Sequence, residues 1–148
     1  MRGNALPSRY EPSGRAKLNI FSWFVSNKDF LLLIRENISG NIDLTRSKEI
    51  IRKLAAAALL CPDDNILIDL RKATVDQASV ADAIEIAREF INQFGPFRNK
   101  IATIVPNDDE AVSMTSFLEA CMTLKHYQYK VFTNFEDAFE WFSEVETL

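Results

Sequence analysis

One histidine, two cysteines and four glycines leave a chain of 148 residues with little material for catalysis. His126 has no second His and no nearby Cys with which to hold a metal. No G-x-S-x-G accompanies it, and a general base needs a positioned nucleophile and an orienting group. It reads as a solvated loop residue. Cys61 and Cys121 fall within or at the end of predicted helices and lack metal-ligand spacing. They read as small packed thiols, which suits a reducing, cytoplasmic setting. The few glycines form neither a P-loop nor a G-x-G-x-x-G turn, so phosphate cradling by a glycine-rich loop is unsupported. The longest apolar run, Leu54 to Cys61, is far short of the ~20 residues of a membrane-spanning helix. No apolar stretch follows a basic start as in a signal peptide. Basic excess is missing too. A net charge of −4 argues against nucleic acid as a partner and gives no reason for attraction to an anionic membrane. No cofactor and no metal are expected. Asp108-Asp109-Glu110 fits a helix N-terminus, where acidic side chains meet the positive end of the dipole.

What is present is a core. The length suits one domain that needs no disulfide or metal staple, and eleven Phe supply large apolar area. Residues 1–16 read as a flexible N-terminal arm and 17–148 as a single domain. Ile20 to Ser26 and Phe30 to Glu36 are apolar runs joined by Asn27-Lys28-Asp29, a hairpin signal. Asp43 or Thr45 can cap a helix running to about Leu60. Its apolar face is Ile50, Ile51, Leu54, Ala55, Ala58 and Leu59, with Arg46, Lys48, Arg52 and Lys53 opposite. Ile66 to Leu70 is a buried strand. Ser79 opens a helix with the stripe Val80, Ala83, Ile84, Ala87, Ile91 and Phe94, stopped by Gly95-Pro96. Lys100 to Val105 is a strand. Asn107 and Glu110 have capping-box spacing for the next helix, whose core face is Ala111, Met114, Leu118 and Cys121. Tyr129 to Phe132 is a short strand, and Thr133 with Glu136 repeats the box before a helix burying Phe135, Ala138, Phe139 and Phe142. Alternating strands and helices predict an α/β fold. Its sheet is mixed and mainly parallel, in β-β-α-β-α-β-α-β-α order, with the antiparallel strand at an edge.

The candidate functional residues cluster around ILIDLRKATVDQAS, residues 66–79. Asp69 and Arg71 end a central strand, where open α/β sheets bind ligands. The ordinary alternative is an Asp that accepts loop N–H groups and an Arg that pairs locally. Ser79 is an N-cap with Asp82 three residues on. A phosphate there would meet the helix dipole and exposed N–H groups, against the opposing charge of Asp76 and Asp82. Trp141 lies off the apolar face of the last helix. With Trp23, Phe24 and Phe97 it could line an apolar pocket or a contact surface.

The order of elements resembles the STAS domain, and more closely its SpoIIAA-like (STAS/SEC14-like) branch, over about residues 20–146. The hairpin IFSWFVS/FLLLIRE, the strands ILIDLR and KIATIV and the ending YKVFTNFEDAFEWF carry the likeness. It implies helices packed on a sheet, no enzymatic activity and no cofactor. Classical STAS proteins antagonise anti-sigma factors and are phosphorylated on a Ser of an Asp-Ser-Ser-Gly motif. Laid on this chain the motif falls at Gln77-Ala78-Ser79-Val80, where only Ser79 matches and Asp76 lies one residue early. The implied function is a bacterial regulatory or protein-interaction module. Its contact surface would be Asp69, Arg71, Asp76 and the helix from Ser79. The alternative is a carrier or sensor of an apolar, lipid-like small molecule in a cleft lined by Phe and Trp. A protein partner is expected, an apolar small molecule is the second choice, and a homodimer is compatible with either.

Overall fold

The computed structural model describes residues 19–25, 29–75 and 79–144, with side chains from Leu33 onward. The expected arm at 1–16 and the candidate contact Asp76 lie outside these residues. Strand β1 (Asn19–Val25) pairs antiparallel with β2 (Asp29–Ile42). Strands β3 (Asn65–Val75), β4 (Lys100–Ile104) and β5 (Gln128–Phe132) follow in parallel, in the spatial order β1-β2-β3-β4-β5. Helices α1 (Leu44–Leu60), α2 (Val80–Phe94), α3 (Asp109–Leu124) and α4 (Phe135–Ser143) fill the connections. This is the mixed, mainly parallel order that the residue pattern predicts, with β1 at the edge.

Side chains alternate across a strand, so the sheet has two apolar faces. Ile34, Ile66, Ile68 and Ile101 pack with Leu54 of α1, Phe90 of α2 and Met122 of α3. Leu33, Leu67, Ala102 and Ile104 point the other way, under Ala138 and Phe142 of α4. Each Leu, Ile, Phe or Met side chain among them taken fully from water contributes roughly 1.5–3 kcal/mol. The expected stripes need correction at their flanks. Leu59, Val80 and Ile84 are 83%, 54% and 43% exposed. In α2 the buried stripe is rotated toward Ile86 and Phe90, because Ala83, Ala87 and Phe90 face the sheet and one helix can present only one such stripe. The basic face of α1 is also not simply solvated. Lys48 and Arg52, one turn apart, pair with Glu85 and Glu89 of α2 at 3.3 and 3.0 Å, and Lys53 reaches Glu36 of β2 at 2.9 Å.

Two caps sit one residue beyond the expected ones. Asp108, not Asn107, caps α3 by accepting from the N–H groups of Glu110 and Ala111, both at 3.0 Å. Asn134, not Thr133, caps α4 by accepting from Asp137 N–H at 2.8 Å. In each case two cap-competent residues are adjacent, and the one in use is the one that reaches the first-turn N–H groups. Helix α3 ends in a Schellman turn. His126 takes the left-handed conformation with φ of 69°, its N–H donates to Thr123 O, and Tyr127 N–H donates back to Met122 O.

Strands β2 and β3 run well past their expected ends at Glu36 and Leu70. Residues Ser39 to Ile42 pair with Lys72 to Val75. Between Asn37 and Ser39 the register slips, because β3 contributes one more residue than β2. This bulge, together with Gly40 at φ of 85°, lets the two strands continue as a ribbon beyond the end of β4. Arg46 ties the ribbon to α1 by donating to Ser39 O and Asn41 O, both at 2.9 Å. At the opposite edge of the sheet, Val131 N–H of β5 donates at 3.0 Å to a carboxylate oxygen of Glu119, carried by α3.

Candidate functional site

The carboxyl end of the sheet carries a different feature on each face. On the three-helix face, β2, β3, β4, Tyr129 of β5 and the N-terminal parts of α1, α2 and α3 line an apolar cleft of about 110 Å³. Ile38, Ile42, Leu70, Ala83, Phe90 and Leu118 form much of its wall. Val75, half exposed, stands at its rim. No Asp, Glu, Lys, Arg or His lines it. Its polar groups are four hydroxyls. Ser47 donates to Asp43 O at 2.9 Å, and Thr115 donates to Ala111 O at 2.7 Å, so both are turned onto their own helix. The other two bond to each other in the wall, Thr103 Oγ1 to Tyr129 Oη at 2.8 Å. Both residues are buried. Burial pushes the Tyr129 phenol up to about 12, partly offset by the Thr103 hydrogen bond.

On the α4 face the bulge brings Arg71 and Lys72 to one depression with Arg35, Asn37, Ser39 and Asp69. Asp69 is its hub. Arg71 donates from its backbone N–H and its Nε to Oδ1, at 3.1 and 3.0 Å, and from Nη2 to Oδ2 at 2.9 Å. Arg35 Nη2 donates to the same Oδ2 at 3.2 Å. Both guanidinium carbons lie over the Phe135 ring, at 4.3 Å for Arg35 and 4.2 Å for Arg71. Burial alone would raise the Asp69 pKa, but the bonds from Arg71 and Arg35 outweigh it and hold the carboxyl below its ordinary range. The pairing raises Arg71 in turn. A carboxylate saturated in this way is a clamp and a poor proton acceptor.

Ser79 caps α2, and the capping box is complete. Its Oγ accepts from Asp82 N–H at 3.1 Å, and Asp82 Oδ2 accepts from Ser79 N–H at 3.4 Å. Trp141 is at the far end. It packs on Phe132 with ring centroids 5.7 Å apart, and Lys100 Nζ, 5.2 Å from the Trp141 ring, donates to Trp141 O and Glu144 O. The structure therefore brings Asp69 and Arg71 together and sets Trp141 apart from them. Phe97 lies on the three-helix face, edge-on to Phe94 with ring centroids 5.1 Å apart, so the sheet separates it from Trp141. The side chains of Trp23 and Phe24 lie outside the described residues. The cleft at the carboxyl end of the sheet is mainly aliphatic, with Phe90 and Tyr129 as its aromatic members.

No family model and no curated protein sequence matches the chain. Among the solved structures similar to it, two are SpoIIAA-like. One is an uncharacterized DUF3478-family protein with a SpoIIAA-like fold from Shewanella loihica PV-4. It is 16% identical, with 84% of this chain and 93% of that chain covered and a TM-score of 0.46. The other is the anti-sigma factor antagonist SpoIIAA in its unphosphorylated form. It is 17% identical, with 86% of this chain and 100% of that chain covered and a TM-score of 0.37. At that level of likeness nothing of their activity carries over.

Sequence reasoning missed Arg35, Phe135, Thr103 and Tyr129 as site residues. Arg35 stands 34 positions from the Asp69 it pairs with. The one available signal was the placement of Thr103 inside the otherwise apolar strand KIATIV. Among the described residues no group of three or more His, Cys, Asp or Glu could hold a metal, and no helix is long and apolar enough to cross a membrane.

Proposed function

We propose that this chain is a non-enzymatic binding module that takes an apolar small molecule into the cleft at the carboxyl end of its sheet. The carrying observation is the cleft itself, about 110 Å³ without a charged side chain in its wall. An engineered apolar cavity of about 150 Å³ admits benzene. A space of this size, open beside Val75, suits a small ring or a short chain whose remainder lies at the rim. The site is also where open α/β sheets place ligands. Native mass spectrometry of the protein as purified, followed by titration with small hydrocarbons, tests the reading. A bound apolar mass or saturable binding supports it. A clean apo mass with no saturable binding by any probe removes it.

A second reading, a cytoplasmic regulatory module that docks a protein, draws on the surface beside the cleft. Val80 and Ile84 are exposed one turn apart, directly after Ser79. The partner surface would run around the carboxyl end of the sheet, from Asp69 and Arg71 on the α4 face to the start of α2 on the other, with Ser79 as its switch. Capture of a partner by wild type and not by Ser79→Glu supports this. Equal capture removes the switch.

A further inference from the structure

We infer that the cleft selects a neutral ligand bearing one hydrogen-bond acceptor, a ketone or ester carbonyl on a small apolar body, which the Thr103–Tyr129 hydroxyl pair would hold. The inference rests on the apolar-ligand reading and names the chemistry of its occupant. Two hydroxyls carry two hydrogens. Thr103 and Tyr129 share one hydrogen bond at 2.8 Å, and neither has another bond among the described residues. Whichever of them donates within the pair, the other's hydrogen is left with no acceptor. Both residues are buried, so an unmet donor there is costly and an incoming acceptor is correspondingly favoured. The remaining hydroxyls of the wall, Ser47 and Thr115, are already bonded to backbone carbonyls. The cleft thus offers one donor and no cation. A carboxylate would lose its hydration without gaining a counter-charge, whereas a carbonyl needs only the donor. With its pKa near 12, the Tyr129 phenol keeps its hydrogen at neutral pH.

The test compares three probes of similar size, acetophenone, ethylbenzene and benzoate, by NMR titration of the full chain. The proteins are wild type, Thr103→Val, Tyr129→Phe and the double variant. Acetophenone should bind wild type about tenfold more tightly than ethylbenzene, the effect of one buried hydrogen bond. Benzoate should leave the cleft resonances unmoved. Each single variant keeps one hydroxyl and should keep the preference. The double variant should bind both neutral probes equally, and its retained ethylbenzene binding reports an intact cleft. Equal affinities for the neutral probes in wild type overturn the inference and leave the apolar-ligand reading standing. So does a preference that survives in the double variant, or benzoate binding as tightly as acetophenone. Failure of both neutral probes to bind wild type overturns the apolar-ligand reading as well.

Discussion

Arg71 holds the Asp69 carboxylate from main chain and side chain at once, with its N–H and Nε on Oδ1 and its Nη2 on Oδ2. The two residues are separated by one position, and the β3 bulge lies in the same stretch. Asp69 therefore does for the bulge what a cap does for a helix. It accepts an N–H that the ladder leaves over, while Arg35 of the neighbouring strand and Phe135 of α4 close over the pair.

Acid should dismantle this clamp. A carboxyl held below its ordinary value contributes stability that is complete above the unfolded pKa, about 3.9, and is lost as pH falls through the folded value. The urea midpoint of wild type should accordingly fall more steeply below pH 4 than that of Asp69→Asn. Parallel curves would show that Asp69 is not the group responsible. At pH 7, Asp69→Ala should cost about 2–3 kcal/mol, since it leaves Arg35 mostly buried beside a lost partner.

Ser79→Ala removes the acceptor of Asp82 N–H and should cost about 1 kcal/mol in urea denaturation. Ser79→Asp should recover most of it, because Asp caps as well as Ser does. If Ser79→Ala unfolds at the wild-type midpoint, the first turn of α2 does not depend on the box.

His126→Gly should stabilise the protein by about 1 kcal/mol, because a residue with a Cβ is strained at φ of 69°. The Schellman bonds are backbone bonds and survive the change. A lower melting temperature for the variant would mean that the imidazole contributes something beyond its cap position.

Ala83→Leu places three more carbons into the cleft wall from the buried stripe of α2. Filling the space should raise stability by about 0.5–1 kcal/mol and shift the melting temperature by about 1–4 °C. It should also abolish binding of small apolar probes. Unchanged probe affinity would move the site elsewhere.

The order of elements was legible because strands and helices here keep clean periods. Ile66–Leu70 is uniformly apolar, and Ala83, Ala87 and Phe94 recur at helical spacing. The ribbon from Ser39 and Lys72 onward was not legible. It is built largely from polar residues and Gly40, so Ile38 and Ile42 alone mark the alternation in β2, and in β3 the extra residue puts Ala73 and Val75 out of phase with Ile66, Ile68 and Leu70. Ser79 was readable as a cap because capping is local. The clamp and the cleft were not, because their parts come from separate elements. Arg35, Asp69 and Phe135 meet only once α4 lies over the sheet. Every residue of the cleft wall looks like ordinary core until three helix ends are seen not to close over it.

The carboxylate of Glu119 sits where a neighbouring strand would have to bond, on the outward N–H of Val131. Edge-to-edge addition of strands is the elementary step of fibril growth. Across β5 that step must first strip a charged group from the backbone and leave it unpaired, so the fold carries its own barrier to amyloid-like stacking on this side.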